Sequence, residues 1–283
     1  MPLTGLCRTL FVLNDVMPNT ALPNQSTGRA DHKRLPTLVL LHGWGCDSRI
    51  WAPLLPYLRE YNDVITLDLP SIDIPFAGTH VDLEAYIDAL LAHLPEQGVY
   101  IGWSLGGMLA TALAARYPSK VTGLITLAAN LQFVATPQWP CALASDVFDT
   151  FYQSVCQHPR AALKRFYHLQ TQGDSCAREQ LQWLRSLTPT QPLLDHLESG
   201  LMLLRSLDNR ECLARLTMPG LHLFGEKDTL VPIAAIDVMR AHHPAHHYQC
   251  VSDVGHLLHY PHTVVAPIIS RFLASITEQG FTG

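Results

Sequence analysis

Val99-Tyr100-Ile101-Gly102-Trp103-Ser104-Leu105-Gly106, running on into Gly107-Met108-Leu109-Ala110-Thr111-Ala112-Leu113-Ala114-Ala115, is the stretch that decides the fold. It reads as an apolar strand, a sharp turn and a helix, with a serine at the apex of the turn. So tight a turn forces the serine backbone into a strained conformation and leaves no room for side chains beside it. That is why Gly102 and Gly106 flank it. The hydroxyl then projects above the sheet edge, at the positive end of the helix that follows. G-x-S-x-G alone is short enough to arise by chance, and its meaning comes from the strand before it and the helix after it.

A serine hydroxyl is a weak nucleophile at neutral pH. It needs a base to take its proton and a third group to hold that base in the right tautomer. Leu221-His222-Leu223-Phe224-Gly225 reads as a strand, and Glu226-Lys227-Asp228-Thr229-Leu230-Val231-Pro232 leaves it as a loop that turns into a helix at Ile233. Asp228 therefore lies at the carboxyl end of a strand, where open sheets of this kind place their ligands. His247-Tyr248-Gln249-Cys250-Val251 reads as a further strand, and the loop after it delivers His256 as the base. The fourth component lies upstream, where Thr37-Leu38-Val39-Leu40-Leu41 runs into the glycine-rich turn His42-Gly43-Trp44-Gly45. Backbone donors aimed at a developing oxyanion stabilise it by about 3 to 4 kcal/mol each. The main-chain N–H groups of Trp44 and Leu105 are the candidates.

Each feature also has an ordinary explanation. The turn could be a plain strand-to-helix connection, Asp228 could be a helix N-cap, and His256 is one of 15 histidines. What singles them out is their joint order, each at the correct end of a predicted strand. Serine, then acid, then histidine is the order found in α/β-hydrolases, and differs from those of the chymotrypsin and subtilisin classes.

From Leu38 to about Phe272 the chain resembles the α/β-hydrolase superfamily. Within it, the chain resembles the pimeloyl-acyl-carrier-protein methyl ester esterases of biotin synthesis. The likeness rests on Leu38 to Gly45, on Gly102 to Gly107, and on Arg165-Phe166-Tyr167-His168-Leu169-Gln170-Thr171-Gln172-Gly173. The last motif is the most specific, because it lies outside the catalytic core. The resemblance implies Phe166 and Gln170 as substrate contacts, and Trp44 is a further substrate-binding candidate. Two departures stand out: Ser71-Ile72-Asp73-Ile74-Pro75 replaces the usual Gly-x-Gly-x-Ser, and an extra loop spans Pro18 to Pro36.

Composition narrows the class. A chain of 283 residues with 48% hydrophobic composition can bury one large core, so a single α/β domain with an insertion fits better than two independent domains. A net charge of −5 argues against nucleic acid as a main partner. No apolar run approaches the ~20 residues of a membrane span, and Met1 to Gly5 lacks the features of a signal peptide, so a soluble, cytoplasmic monomer is expected. Seven cysteines, an odd number without a C-x-x-C pair, suggest reduced thiols. His242-His243-Pro244-Ala245-His246-His247 invites a metal reading, but no acidic or cysteine ligand lies beside it. A solvated loop is expected there, and neither metal nor cofactor is called for by serine hydrolysis.

Along the chain, an edge strand is predicted at Arg8 to Leu13 and a helix near Trp51 to Glu60. A strand follows at Val64 to Leu67, a helix from about Val81 to Leu94, and a strand at Val121 to Ala128. Alternation of this sort predicts a mostly parallel central sheet with helices on both faces. From about Asn130 to Leu213 the alternation stops and apolar residues recur at helical spacing. Residues 1–129 and 214–283 therefore read as the two parts of the core, and 130–213 as an all-helical cap over the serine.

Between Thr150 and Thr190 the bases Arg160, Lys164, Arg165, Arg178 and Arg185 outnumber the acids Asp174 and Glu179. They form either a solvated surface or the dock for an acidic acyl-carrier protein. The expected activity is that of a serine carboxylesterase, acting in the resemblance's terms on the methyl ester of pimeloyl-acyl-carrier protein. A broad short-chain esterase, a carbon-carbon bond hydrolase of the same fold and a non-catalytic ligand receptor are the alternatives.

Overall fold

Short runs of valine, isoleucine and leucine, too short for helices and bracketed by turn residues, supply the strands. The computed structural model describes residues 35–58, 63–70, 82–260 and 262–278. The strand expected at Arg8 to Leu13 and the departure at Ser71 to Pro75 lie outside the described residues, as does most of the Pro18 to Pro36 loop. Strands β1 (Leu38–Leu41), β2 (Val64–Leu67), β3 (Gly98–Trp103), β4 (Val121–Leu127), β5 (Gly220–Gly225) and β6 (His247–Val251) pair in the order β2-β1-β3-β4-β5-β6, all parallel. Strands buried on both faces have no polar side to show. Accordingly every residue of β1, β3 and β5 is buried, whereas β2 and β6, the outermost strands among the described residues, are largely half-exposed or exposed.

The helices are α1 (Leu55–Leu58), α2 (Leu83–Leu91), α3 (Leu105–Arg116), α4 (Ser145–Gln157), α5 (Pro159–Thr171), α6 (Ala177–Ser186), α7 (Gln191–Asp195), α8 (Leu197–Ser206), α9 (Arg210–Ala214), α10 (Ala235–His242) and α11 (His262–Glu278). In place of one helix from Trp51, a 3-10 turn at Ser48–Trp51 precedes α1. Pro53 and Pro56 lack the N–H groups that a continuous helix would need there. A Cβ on Gly123 of β4 would meet Ile276 of α11 and Val99, while one on Gly102 of β3 would meet Gly106 and Gly107 of α3. Val99 and Gly102 point to opposite faces of β3, so α11 and α3 cover opposite faces of the sheet.

Helices α4 to α9 fill the interval between β4 and β5. Ahead of α4 the chain also makes two isolated bridges, Val134 with Leu143 and Thr136 with Trp139, that helical spacing did not foretell. Asn130 holds them, donating to Cys141 O and accepting from the indole of Trp139. Within this segment Phe148, Leu163, Phe166 and Leu184 are buried, each contributing roughly 1.5 to 3 kcal/mol. Leu169 is an exception at 37% exposed. Among the described residues no helix is long and apolar enough to cross a membrane.

The strand order positions the site. The chain leaves β1 for β2 on one side and reaches β3 on the other, so the order reverses between β1 and β3. Parallel sheets open a crevice at such a switch point, at the carboxyl ends of the strands. Gly43 and Trp44 follow β1, and Ser104 follows β3.

Candidate active site

Ser104 has φ 54° and ψ −118°, a left-handed conformation rare for a residue with a side chain. The close approach around it explains the glycines. A Cβ on Gly106 would lie 2.1 Å from Leu41 O, and one on Gly102 would lie 2.4 Å from Gly106 O. Ser104 occupies the N-cap position of α3, yet its side chain caps nothing. The hydroxyl is therefore left for other work beside the helix's positive end.

Asp228 and His256 lie side by side. The Asp228 and His256 side chains are fully buried, and His256 Nδ1 donates to Asp228 Oδ2 at 2.8 Å. With the proton on Nδ1, Nε2 presents a lone pair. That atom is buried and has no hydrogen-bond partner among the described residues. Asp228 also does what an N-cap aspartate does, since Oδ1 accepts from the N–H groups of Leu230 (2.8 Å) and Val231 (3.0 Å). One carboxylate thus orders its own loop and orients the imidazole. Asp253, three residues before the histidine, is exposed, and its N–H donates to Glu226 Oε2.

Three groups that sequence reading did not single out support this set. His42 Nδ1 donates to Gly43 O at 2.8 Å, and its Nε2 accepts from the N–H of Leu69 at 2.9 Å, tying the turn after β1 to the exit of β2. Burial holds its pKa below the ordinary histidine value, consistent with this neutral tautomer. The Trp103 indole donates to His256 O at 2.9 Å, and its ring lies 5.5 Å from the imidazole. His259 packs against Trp51, Trp103 and Trp183, with its pKa pushed down to about 3, mainly by burial. The signal for His42 was present in its place beside Gly43. The other two roles arise only from packing.

Trp44 and Leu105 line one cavity of about 530 Å³, together with Gly43, Leu69, Leu197 and Gly200. Neither main-chain N–H donates to a loop or turn carbonyl among the described residues. The Trp44 indole N–H is engaged with Leu197 O at 2.8 Å, and its ring meets Phe166 edge-on at 4.8 Å and Phe151 at 5.5 Å. Phe166 and Phe151 line a second, apolar cavity of about 160 Å³ with Phe133, Leu201 and Leu230. The three rings thus pack together, Trp44 on the side of the first cavity and the two phenylalanines on the side of the second. Gln170 is 1% exposed and lines neither cavity, and its Oε1 is buried with no hydrogen-bond partner among the described residues.

All five bases on α5 and α6 are exposed, and none belongs to an ion pair among the described residues. Arg160 reaches Gln191, and Arg185 reaches His168. Of the two acids in that stretch, Asp174 is buried, which leaves Glu179 exposed. The expectation of a solvated loop from His242 to His247 fails at His246. It is buried, bonded to His222 Nε2 (3.0 Å) and Met218 O (3.0 Å), because β5 and β6 pair just beside it. Among the described residues no group of three or more histidine, cysteine or acidic side chains could hold a metal.

The alpha/beta hydrolase fold model matches residues 36–263. A biotin biosynthesis bifunctional protein BioHC of Cellvibrio japonicus is 44% identical over 80% of this chain and 45% of its own, so the chain spans about half the length of that relative. A pimeloyl-[acyl-carrier protein] methyl ester esterase of Sodalis glossinidius is 33% identical over 85% of this chain and 92% of its own. Among solved structures, a bromoperoxidase of Bacillus anthracis superposes with a TM-score of 0.72 at 19% identity, over 84% of this chain and 92% of that one, a likeness of fold alone. With a switch-point crevice, a strained serine elbow and a family match over most of its length, the chain belongs to the alpha/beta hydrolase fold family.

Proposed function

We propose that this chain is a serine carboxylesterase that hydrolyses the methyl ester of pimeloyl-acyl-carrier protein. The observation that carries the reading is the buried Asp228–His256 pair, whose free Nε2 sits at the strand ends that also present Ser104. In this scheme His256 takes the Ser104 proton as the oxygen attacks the ester carbonyl. The N–H groups of Trp44 and Leu105 hold the resulting oxyanion. His256 then returns the proton to the departing methoxide, and methanol leaves an acyl-enzyme. Water, deprotonated by the same imidazole, releases the free acid and restores Ser104.

The relative named a pimeloyl-[acyl-carrier protein] methyl ester esterase supplies the substrate assignment, and the relative named a biotin biosynthesis bifunctional protein agrees with it in pathway. The larger cavity falls in the size range of small-molecule sites. Segment 130–213 acts as the cap, and the exposed bases of α5 and α6 dock the acidic carrier. Turnover of the carrier-bound methyl ester tests the reading, beside a small methyl ester as control. Reversing Arg165 and Arg178 to glutamate should lower kcat/KM on the carrier substrate about tenfold, less at high salt, and spare the small ester. Equal rates on both substrates in wild type and variant would contradict the carrier role.

A further inference from the structure

The turn between α5 and α6 reaches across to the loop that carries His256. Asp174 is 8% exposed and uses both side-chain oxygens: Oδ1 accepts from the Cys176 N–H at 2.8 Å and Oδ2 from the Gly255 N–H at 2.9 Å. Gly255 immediately precedes His256. Next to it, the Ser175 N–H donates to Asp253 O. From the opposite side, the Lys227 N–H donates to Val254 O and the Glu226 carboxylate accepts from the Asp253 N–H. The histidine loop is therefore clamped between the turn that bears Asp228 and the turn that bears Asp174. Asp253 sits at φ 58°, a conformation that costs roughly 1 to 3 kcal/mol and persists only where the surroundings impose it.

We infer that Asp174 is a positioning residue for His256, acting through Gly255, so that the helical segment supplies part of the catalytic geometry as well as covering it. Both Asp174 oxygens are taken up by backbone N–H groups, one of them that of Gly255, so its link to the site runs through the histidine loop. A carboxylate can accept two N–H bonds on separate oxygens, whereas an amide has one accepting oxygen. Losing the bond to Gly255 frees the loop to relax its strain, and a displacement of about 1 Å costs roughly a hundredfold in rate. The inference rests on the esterase reading above.

The test is made on the full chain with Asp174→Ala and Asp174→Asn. Steady-state kinetics on a p-nitrophenyl ester, the pH profile of kcat/KM and the low-field proton resonance of His256 Nδ1–H are recorded. For Asp174→Ala, kcat should fall about a hundredfold with KM nearly unchanged, the acid limb of the profile should move, and the low-field resonance should broaden or vanish. Asp174→Asn, which keeps the shape and one acceptor, should fall between wild type and alanine, and carries the test if the alanine variant does not fold. Wild-type kcat, pH profile and resonance in the asparagine variant would overturn the inference. Should the wild-type chain turn over no ester, the esterase reading fails, and the resonance alone decides Asp174.

Discussion

Ser104 stands on a turn where main chain packs against main chain, between central strands buried on both faces. His256 stands on a loop beside the edge strand β6, held by side chains from two other segments, Asp228 on one side and Asp174 on the other. The first arrangement tolerates no alternative residue, because a Cβ has no flexible neighbour to push aside. The second can be perturbed one hydrogen bond at a time. The geometry of Ser104 is thus fixed by excluded volume, and that of His256 by a small set of polar contacts with graded strength.

Removing the reacting groups should show the contrast most sharply. Ser104→Ala should lower kcat on the order of 10⁶-fold while leaving Tm unchanged, because it deletes only a hydroxyl that caps nothing. Asp228→Asn should cost about 10⁴-fold, through the wrong imidazole tautomer, and should also lower Tm slightly, because the same carboxylate orders its loop. If Asp228→Asn kept full activity while Asp253→Asn lost it, the assignment of the acid would be wrong.

Gly106→Ala probes the steric half. A methyl 2.1 Å from Leu41 O must move backbone, so a loss of about 3 kcal/mol or more, read as a fall of roughly 6 to 12 °C in Tm, is expected. A fully stable alanine variant would show that the elbow is looser than its packing implies.

The polar half should be the more acid-sensitive. His246 keeps a pKa of about 4, mainly through burial, and His222 lies well below its ordinary value for the same reason. Unfolded histidines take up protons near pH 6.5 while folded His246 resists until about 4. Its contribution is therefore complete above pH 6.5 and is lost as pH falls towards 4, by about 3 kcal/mol. Thermal melts from pH 7 to pH 5 should show a falling Tm, with hydrogen exchange rising first in β5 and β6. A flat profile would contradict the neutral His222–His246 contact.

The same contrast explains what could be read from the sequence. Gly102, Gly106 and the strand before them announce the elbow, since only glycine fits and the constraint lies within a few residues. Asp228 and His256 were legible as loop residues after apolar strands, and the parallel order followed from alternation. Asp174 looked like a surface acid amid bases, and its burial depends on Gly255, which lies far along the chain. Trp103 and His259 likewise gain their roles from packing that no local pattern encodes. His246 was misread because a proline-bearing polar run resembles a loop, and strand pairing buried it. Phe166 is buried and lines the smaller cavity; helical spacing tells which face is buried and not what lies opposite.

Covalent labelling decides whether Ser104 is the nucleophile of this site. The most direct measurement is reaction of the full chain with an alkyl fluorophosphonate, followed by mass-spectrometric mapping of the adduct. A single phosphonyl group on Ser104, formed slowly or not at all in His256→Ala, is the predicted result. No adduct in active protein, or an adduct on another residue with Ser104 unmodified, would contradict the account.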